Sequence, residues 1–325
     1  MRIPRLPNTR LWKGALCATM LIWGSGLWAH PIVELQAPQC FIVDTTGDQY
    51  FIANANGEPG QADNNGFISK LNRDGEVVNL HFIQGGRGDT VLHSPNGMAM
   101  IGTTLYVADL DTVRGFHAVT GRPTVSVSLR RFAISELTDL AADDSGRLYA
   151  LDTLGNGIYR IDTTQGHTVS LVIQDERLAG PRGIAVHPKS GKLLVVSLDN
   201  GTVLEVDKQG TIHEIISNSF FTGRFQHLSG IDFDQYGSMY VSDLTAGKIW
   251  RIRPDHKMTV IAEFLISPIS VRIDRPKHLI MVPYLYANGA EMNGLERPVN
   301  AGQPKKKKRT FSDYGMGWLG GNESK

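Results

Sequence analysis

Ser94-Pro95-Asn96-Gly97-Met98-Ala99, followed after a short gap by Thr104-Leu105-Tyr106-Val107-Ala108-Asp109, is one copy of a phrase that the chain repeats. Leu137-Thr138-Asp139-Leu140-Ala141 leads into Gly146-Arg147-Leu148-Tyr149-Ala150-Leu151-Asp152. Pro181-Arg182-Gly183-Ile184-Ala185-Val186 leads into Gly191-Lys192-Leu193-Leu194-Val195-Val196, and Leu228-Ser229-Gly230-Ile231-Asp232 into Gly237-Ser238-Met239-Tyr240-Val241-Ser242-Asp243. Weaker copies flank these, Pro38-Gln39-Cys40-Phe41-Ile42 with Tyr50-Phe51-Ile52-Ala53, and Pro268-Ile269-Ser270-Val271 with Leu279-Ile280-Met281-Val282. With the residue after the variable one as marker, the copies fall at 40, 97, 139, 183, 230 and 270, at intervals of 57, 42, 44, 47 and 40 residues.

Intervals of this size are those of propeller blades. The fourth copy holds four short β-rich runs, Gly183 to Val186, Leu193 to Ser197, Thr202 to Val206 and Thr211 to Ile215, separated by the turn signals Asp-Asn-Gly and Lys-Gln-Gly. Such runs are hairpins joined in series. A lone four-stranded sheet cannot cover both of its faces, and radial stacking about an axis covers them while leaving only short edges. The expected fold is therefore all-β, a six-bladed β-propeller of four-stranded antiparallel blades. A β-sandwich gives no reason for one hairpin series to recur. Ile32 to Leu35 is the candidate outer strand of the sixth blade, because the strand pattern fades beyond Pro283. The long first interval reflects an insertion, Ala55 to Asn65, expected to lie over one mouth of the channel.

The rest of the chain is consistent with this reading. The 35 glycines suit many tight turns, and 41% hydrophobic with 20% charged residues is an ordinary globular balance. A formal net charge of +1 argues against a nucleic-acid binder. Arg2, Arg5, Arg10 and Lys13 precede the uncharged apolar run Gly14 to Trp28, the pattern of a secretory leader, with cleavage expected after Ala29. The mediocre Leu27 before that cut leaves an uncleaved anchor as the alternative. The expected division is 1–29 signal peptide, 30–290 propeller and 291–325 a basic, glycine-rich tail, with no transmembrane span after leader removal and a periplasmic or secreted location. The mature chain keeps a single cysteine, Cys40, so no internal disulfide is expected. Lys305 to Lys308 with Arg309 form a basic block read as a solvated tail. Phosphate-loop and Gly-x-Ser-x-Gly patterns are missing. Asp109, Asp152, Asp199 and Asp243 recur near the ends of second strands and read as turn acceptors. His93 and His227, each ahead of a channel-side turn, are possible mouth residues.

The repeats resemble two related propeller groups, the NHL-repeat proteins and the senescence-marker-protein, gluconolactonase and regucalcin family, in their exported bacterial branch. The likeness spans most of 38–285 and is carried also by Asn65-Gly66-Phe67-Ile68-Ser69-Lys70-Leu71 and Gly102-Thr103-Thr104-Leu105-Tyr106-Val107-Ala108-Asp109. The lactonase branch implies a divalent cation, calcium or zinc, at the axis, held by a Glu, an Asn and an Asp from different blades, with a further Asn on substrate. Oxygen ligands of this kind hold a hard cation that polarises a carbonyl and activates water. At those positions this chain has Gln39 for the Glu, Arg182 for the metal-binding Asn, Ser229 for the Asp and Thr138 for the substrate Asn. Only Asn96 keeps the Asn-Gly wording, on a different blade, and Asp139 with Asn96 would make a partial metal site only if the register is off by one.

Gln39, Asn96, Thr138, Asp139, Arg182 and Ser229, with Ile269 in the sixth copy, are thus the candidate lining of the channel mouth. Two functions remain open. One is a non-catalytic module that binds a small anionic ligand or a partner protein there, with no cofactor; the missing carboxylates and the permanent cation of Arg182 favour it. The other is a metal-dependent lactonase-type hydrolase with a degenerate site. The first reading also allows that the ring residues only cap the inner strands.

Overall fold

A computed structural model describes residues 31–44, 48–207, 209–217 and 224–296. The expected leader, 1–29, and the block Lys305 to Arg309 lie outside these residues.

The described chain folds into six antiparallel sheets arranged as the blades of a propeller. Blade one holds β1 (Pro38–Val43), β2 (Gln49–Asn54), β3 (Phe67–Asn72) and β4 (Val77–Gln84). Blade two holds β5 (Pro95–Ile101), β6 (Thr104–Asp109), β7 (Thr112–His117) and β8 (Pro123–Ser128). Blade three holds β9 (Leu137–Ala142), β10 (Arg147–Asp152), β11 (Gly157–Asp162) and β12 (Thr168–Gln174). Blade four holds β13 (Pro181–Val186), β14 (Leu193–Ser197), β15 (Val203–Val206) and β16 (Ile212–Ile216). Blade five holds β17 (Leu228–Phe233), β18 (Met239–Asp243), β19 (Lys248–Ile252) and β20 (Met258–Ala262), and blade six holds β21 (Arg272–Asp274), β22 (Leu279–Tyr284) and β23 (Gly289–Gly294). Helical structure among the described residues is confined to the 3-10 turns Arg130–Phe132 and Glu176–Leu178.

Burial explains why alternation is weak in the inner strands. A blade is covered on both faces by its neighbours, so β14 is buried at all five positions, whereas the outer strand β8 is buried at one of six. The apolar side chains gather into six clusters, one in each seam between blades. Fully buried Phe41, Phe51, Phe67 and Phe116 anchor the first two blades, each worth about 1.5–3 kcal/mol against exposure. The lower turns share one device: Asp143 Oδ1 accepts from the backbone N–H groups of Ser145 and Arg147, and Asp234 Oδ1 from those of Tyr236 and Ser238. Gly146 and Gly237 complete these turns at φ 77° and 87°, where a side chain would be strained.

The ring closes across blades six and one. Ile32 exchanges two backbone hydrogen bonds with Ala290 of β23, 2.9 and 3.0 Å, and so takes the fourth place in blade six, next to a three-stranded sheet. The side chain of Asn288 accepts from Ala37 N–H at 2.8 Å, and Tyr50 donates to Asp274 at 2.7 Å across the same seam. The sequence pattern fades after Pro283 because β23 is an outer strand, with only Ala290 and Asn293 buried.

Candidate functional site

The inner strands β1, β5, β9, β13 and β17 all begin with the same irregularity. Pro38 pairs with Asn54 and Cys40 with Ala53, so Gln39 is an extra residue with no partner opposite. Arg182 and Ser229 are the extra residues of β13 and β17, and the register also shifts across Asn96–Gly97 and Thr138–Asp139. A β-bulge re-aims a side chain at a strand end. Here the bulges turn Gln39, Asn96, Thr138, Arg182 and Ser229, with Ile269, around one small recess at the upper end of the channel, where the inner strands start.

The residue after the bulge sets how closely the strands meet at the axis. Three blades have Gly there. A Cβ on Gly183 would lie 2.5 Å from the Ser229 carbonyl oxygen, one on Gly230 2.5 Å from Val271 N, and one on Gly97 would strike the Asp139 backbone. The other three blades place Cys40, Asp139 and Ser270 at this level, and these side chains fill the axis, leaving about 10 Å³ in the recess, room for one water-sized group.

Most of the ring is already hydrogen-bonded. Thr138 shares a 2.7 Å bond with Thr153, which is also within 2.7 Å of the Pro181 carbonyl, and Ser229 donates to the Ile269 carbonyl. Asn96 donates to Glu136 at 3.4 Å. Gln39 donates through Nε2 to the Ala37 carbonyl, while its Oε1 is buried without a partner among the described residues, the residue being 2% exposed. Arg182 differs from the rest: it is half-buried, and its guanidinium makes no hydrogen bond or ion pair among the described residues. Burial lowers its pKa, and the charges of Glu136 and then Asp139 oppose that shift.

Beneath the ring, Asp139 is paired with Arg272 at 2.5 Å. Its second oxygen accepts from Ile184 N–H at 3.0 Å and its first also from Leu140 N–H at 2.9 Å. Burial pushes the Asp139 carboxyl up, against the pull of Arg272 and the two backbone donors. Burial alone would lower the Arg272 pKa, but the Asp139 carboxylate overrides it and holds the guanidinium charged. Arg272 also donates to the Val271 and Ile231 carbonyls. Cys40 lies against this pair, fully buried, and burial pushes its thiol up to about 11. Below the pair the channel widens into a cavity of about 570 Å³, lined by Ile42, Met98, Ala141, Arg147, His187 and Arg275 among others.

Comparison with known proteins places the architecture but goes no further. No protein-family model matches the chain, and no curated protein matches it. Among solved structures it is similar to a structural-genomics protein of unknown function from Bacteroides thetaiotaomicron, with 13% identity, a TM-score of 0.63, and coverage of 83% of this chain and 73% of that one. It is also similar to a catalytically inactive variant of virginiamycin B lyase from Staphylococcus aureus solved with quinupristin, with 12% identity, a TM-score of 0.56, and coverage of 83% and 99%. At these identities the likeness is one of fold.

The surroundings of the mouth add residues that the repeat did not single out. The insertion 55–65 does reach the mouth: Gly60 N–H donates to Ser94, and a Cβ on Gly60 would lie 3.8 Å from Glu136 Oε1. Glu136 sits in a connection between blades, outside the repeated phrase. Arg272 belongs to the weak sixth copy, two residues past the marker, where the other blades have Ile42, Ala99, Ala141, Ala185 and Asp232. A charge at that place was the available signal. His93 accepts from Asn64 N–H through Nδ1, and His227 bonds Thr245. Asp109, Asp152 and Asp243 accept backbone N–H groups as turn residues do. Asp199 does not share their place: Ser197 stands opposite Pro181, and its hydroxyl accepts from Asn200 N–H. No group of three or more His, Cys, Asp or Glu able to hold a metal occurs among the described residues, and none of their helices is long and apolar enough to cross a membrane.

Proposed function

We propose that this chain is an exported, non-catalytic binding module of the gluconolactonase-like and NHL-repeat kind, whose upper channel mouth takes a small anionic ligand. The observation that carries this is Arg182, a half-buried guanidinium with no hydrogen-bonding partner among the described residues, surrounded by ring residues whose own bonds are mostly complete. A carboxylate or phosphate accepting two parallel hydrogen bonds relieves that deficit, contributing about 1.5–3 kcal/mol for a charge-assisted contact. Exposed Leu154, Phe264, Ile266 and Tyr286 lie in upper-end loops and connections, and give a partner protein apolar surface beside the charged mouth. The basic-then-apolar start of the chain supports a periplasmic or secreted location.

A lactonase-type divalent cation does not fit these residues. Both oxygens of Asp139 are taken by Arg272 and backbone donors, and the guanidinium groups of Arg182 and Arg272 would repel a cation between them. Gln39 and Ser229 bring no charge to offset that repulsion.

Calorimetric titration of the mature protein with acetate, succinate and inorganic phosphate tests the reading. At least one anion should bind, and Arg182→Ala should weaken it at least about tenfold. Sugar-lactone hydrolysis that is abolished by EDTA would overturn it.

A further inference from the structure

The mouth offers more than a cation. Gln39 Oε1 is an acceptor on a residue only 2% exposed, it lacks a donor among the described residues, and it lines the same recess as Arg182. Glu136 is the foremost negative charge felt by Arg182, yet the two do not form an ion pair. Among the described residues its carboxylate has one long hydrogen bond, 3.4 Å from Asn96. The separation matters. Had Glu136 and Arg182 been in contact, each would satisfy the other and the mouth would be closed as a structural salt bridge.

A simple anion satisfies only the arginine. It would also sit beside Glu136 and be repelled by it, which works against affinity. A ligand carrying a positive donor next to its anionic group answers all three side chains together. Its ammonium group has three N–H donors to share between Gln39 Oε1 and the Glu136 carboxylate, while its carboxylate takes the fork of Arg182.

We infer that the upper mouth is a site for a free α-amino acid, its carboxylate on Arg182 and its ammonium on Gln39 and Glu136. The one-group size of the recess below the ring limits what can descend, so the ligand is held by its backbone groups and its side chain stays outside. Two exposed side chains are placed to meet it. Tyr286, 78% exposed, stands in the turn between β22 and β23 at this same end of the channel. Leu154, 73% exposed, follows Thr153, which lies against the Pro181 carbonyl next to Arg182. These favour an amino acid with an apolar side chain over glycine.

The inference rests on the anion-binding reading above, and matched ligands separate the two. Native protein would be titrated at pH 7 with phenylalanine, 3-phenylpropanoate, N-acetylphenylalanine and 2-phenylethylamine, which carry respectively both groups, the carboxylate alone, a blocked amine and the amine alone. Phenylalanine should bind at least about tenfold more tightly than the other three. Glu136→Gln should bring it to within about twofold of 3-phenylpropanoate without weakening the latter, and Arg182→Ala should remove both. Equal binding of phenylalanine and 3-phenylpropanoate to the native protein would overturn the amino-acid site and leave the anion mouth standing. Binding of neither would overturn the amino-acid site, and failure of acetate, succinate and phosphate as well would overturn the anion mouth with it. Because the ligand series is read on the native chain, the outcome does not depend on how the variants fold.

Discussion

The two ends of the channel are made by the same inner strands, yet one is shut and the other open. At the upper end the bulged residues and the side chains of Cys40, Asp139 and Ser270 leave about 10 Å³; at the lower end there is a cavity of about 570 Å³. The difference comes down to side-chain size at one register place. Two residues past the marker, three blades carry Ala99, Ala141 and Ala185, which leave space, and Arg272 at the equivalent place in blade six reaches up to Asp139. That ion pair is the partition between the two ends. Two of the channel's arginines have opposite circumstances: Arg272 is buried and bonded to Asp139 and two backbone carbonyls, and Arg182 is half-buried and has no bond among the described residues. A satisfied charge points to structure and an unsatisfied one to a ligand.

Removing one member of the partition should produce the largest effect. Asp139→Asn or Arg272→Met leaves an uncompensated polar or charged group in the axis, and each should destabilise the protein by about 3–5 kcal/mol in urea titrations. The double variant Asp139→Leu with Arg272→Met should regain much of that loss, since replacing a buried pair by apolar groups is often neutral. Equal losses in the single and double variants would mean that the pair is not what closes the channel.

The next effect tests whether the seam, and not the partition, holds the ring. Tyr50 Oη donates to Asp274 Oδ2 at 2.7 Å in the buried join of blades one and six, and Lys277 Nζ donates to the same phenol at 2.9 Å. Tyr50→Phe should cost about 1.5–3 kcal/mol, as expected for a hydrogen bond to a charged group. A loss below about 0.5 kcal/mol would show that the apolar cluster of Phe41, Ile52, Leu71 and Met281 closes the ring without it.

How much of this was legible beforehand follows from where each residue stands in the repeat. The mouth ring could be assembled from sequence because each of its members precedes the marker, and the marker is Gly in three copies for a steric reason that the structure makes explicit at Gly183 and Gly230. Ile32 could be nominated for the last blade because a ring needs a closing strand. Glu136 escaped notice because a connection has no repeat to be compared with. Arg272 is hidden because the copy that holds it is degenerate, and nothing in the sequence pairs it with Asp139. The state of Arg182 could not be read at all, since lacking a partner depends on what other blades bring near it.

The comparison of the two arginines is sharpened by Arg182→Leu. Stability should change by no more than about 0.5 kcal/mol, because no bond among the described residues is lost. Anion binding should disappear in the same sample. A loss approaching that of Arg272→Met would show that Arg182 is a structural residue and that the upper mouth is no site.

The smallest effect belongs to the lower end and appears in the pH dependence. His187 lines the wide cavity, its Nδ1 accepting from the N–H groups of Lys189 at 3.2 Å and Ser190 at 3.1 Å, and its ring meeting Phe233 edge-on at 5.0 Å. Burial lowers its pKa from the ordinary 6.5, with Lys189 and Lys192 adding to that lowering and Glu205 opposing it. The sign follows from the state that the fold prefers. Neutral imidazole is favoured in the native protein, and protonating Nδ1 would forfeit both backbone bonds. The stabilisation is therefore present in full above the unfolded value of 6.5 and is lost as the pH falls through the lower folded value. Solvent screening at this partly exposed ring keeps the effect small. Urea midpoints measured from pH 8 down to pH 5 should fall less steeply for His187→Gln than for the native protein, whereas Arg182→Leu, with no group titrating in that range, should leave the native slope unchanged. Parallel native and His187→Gln curves would remove the lower cavity from any account of the pH response.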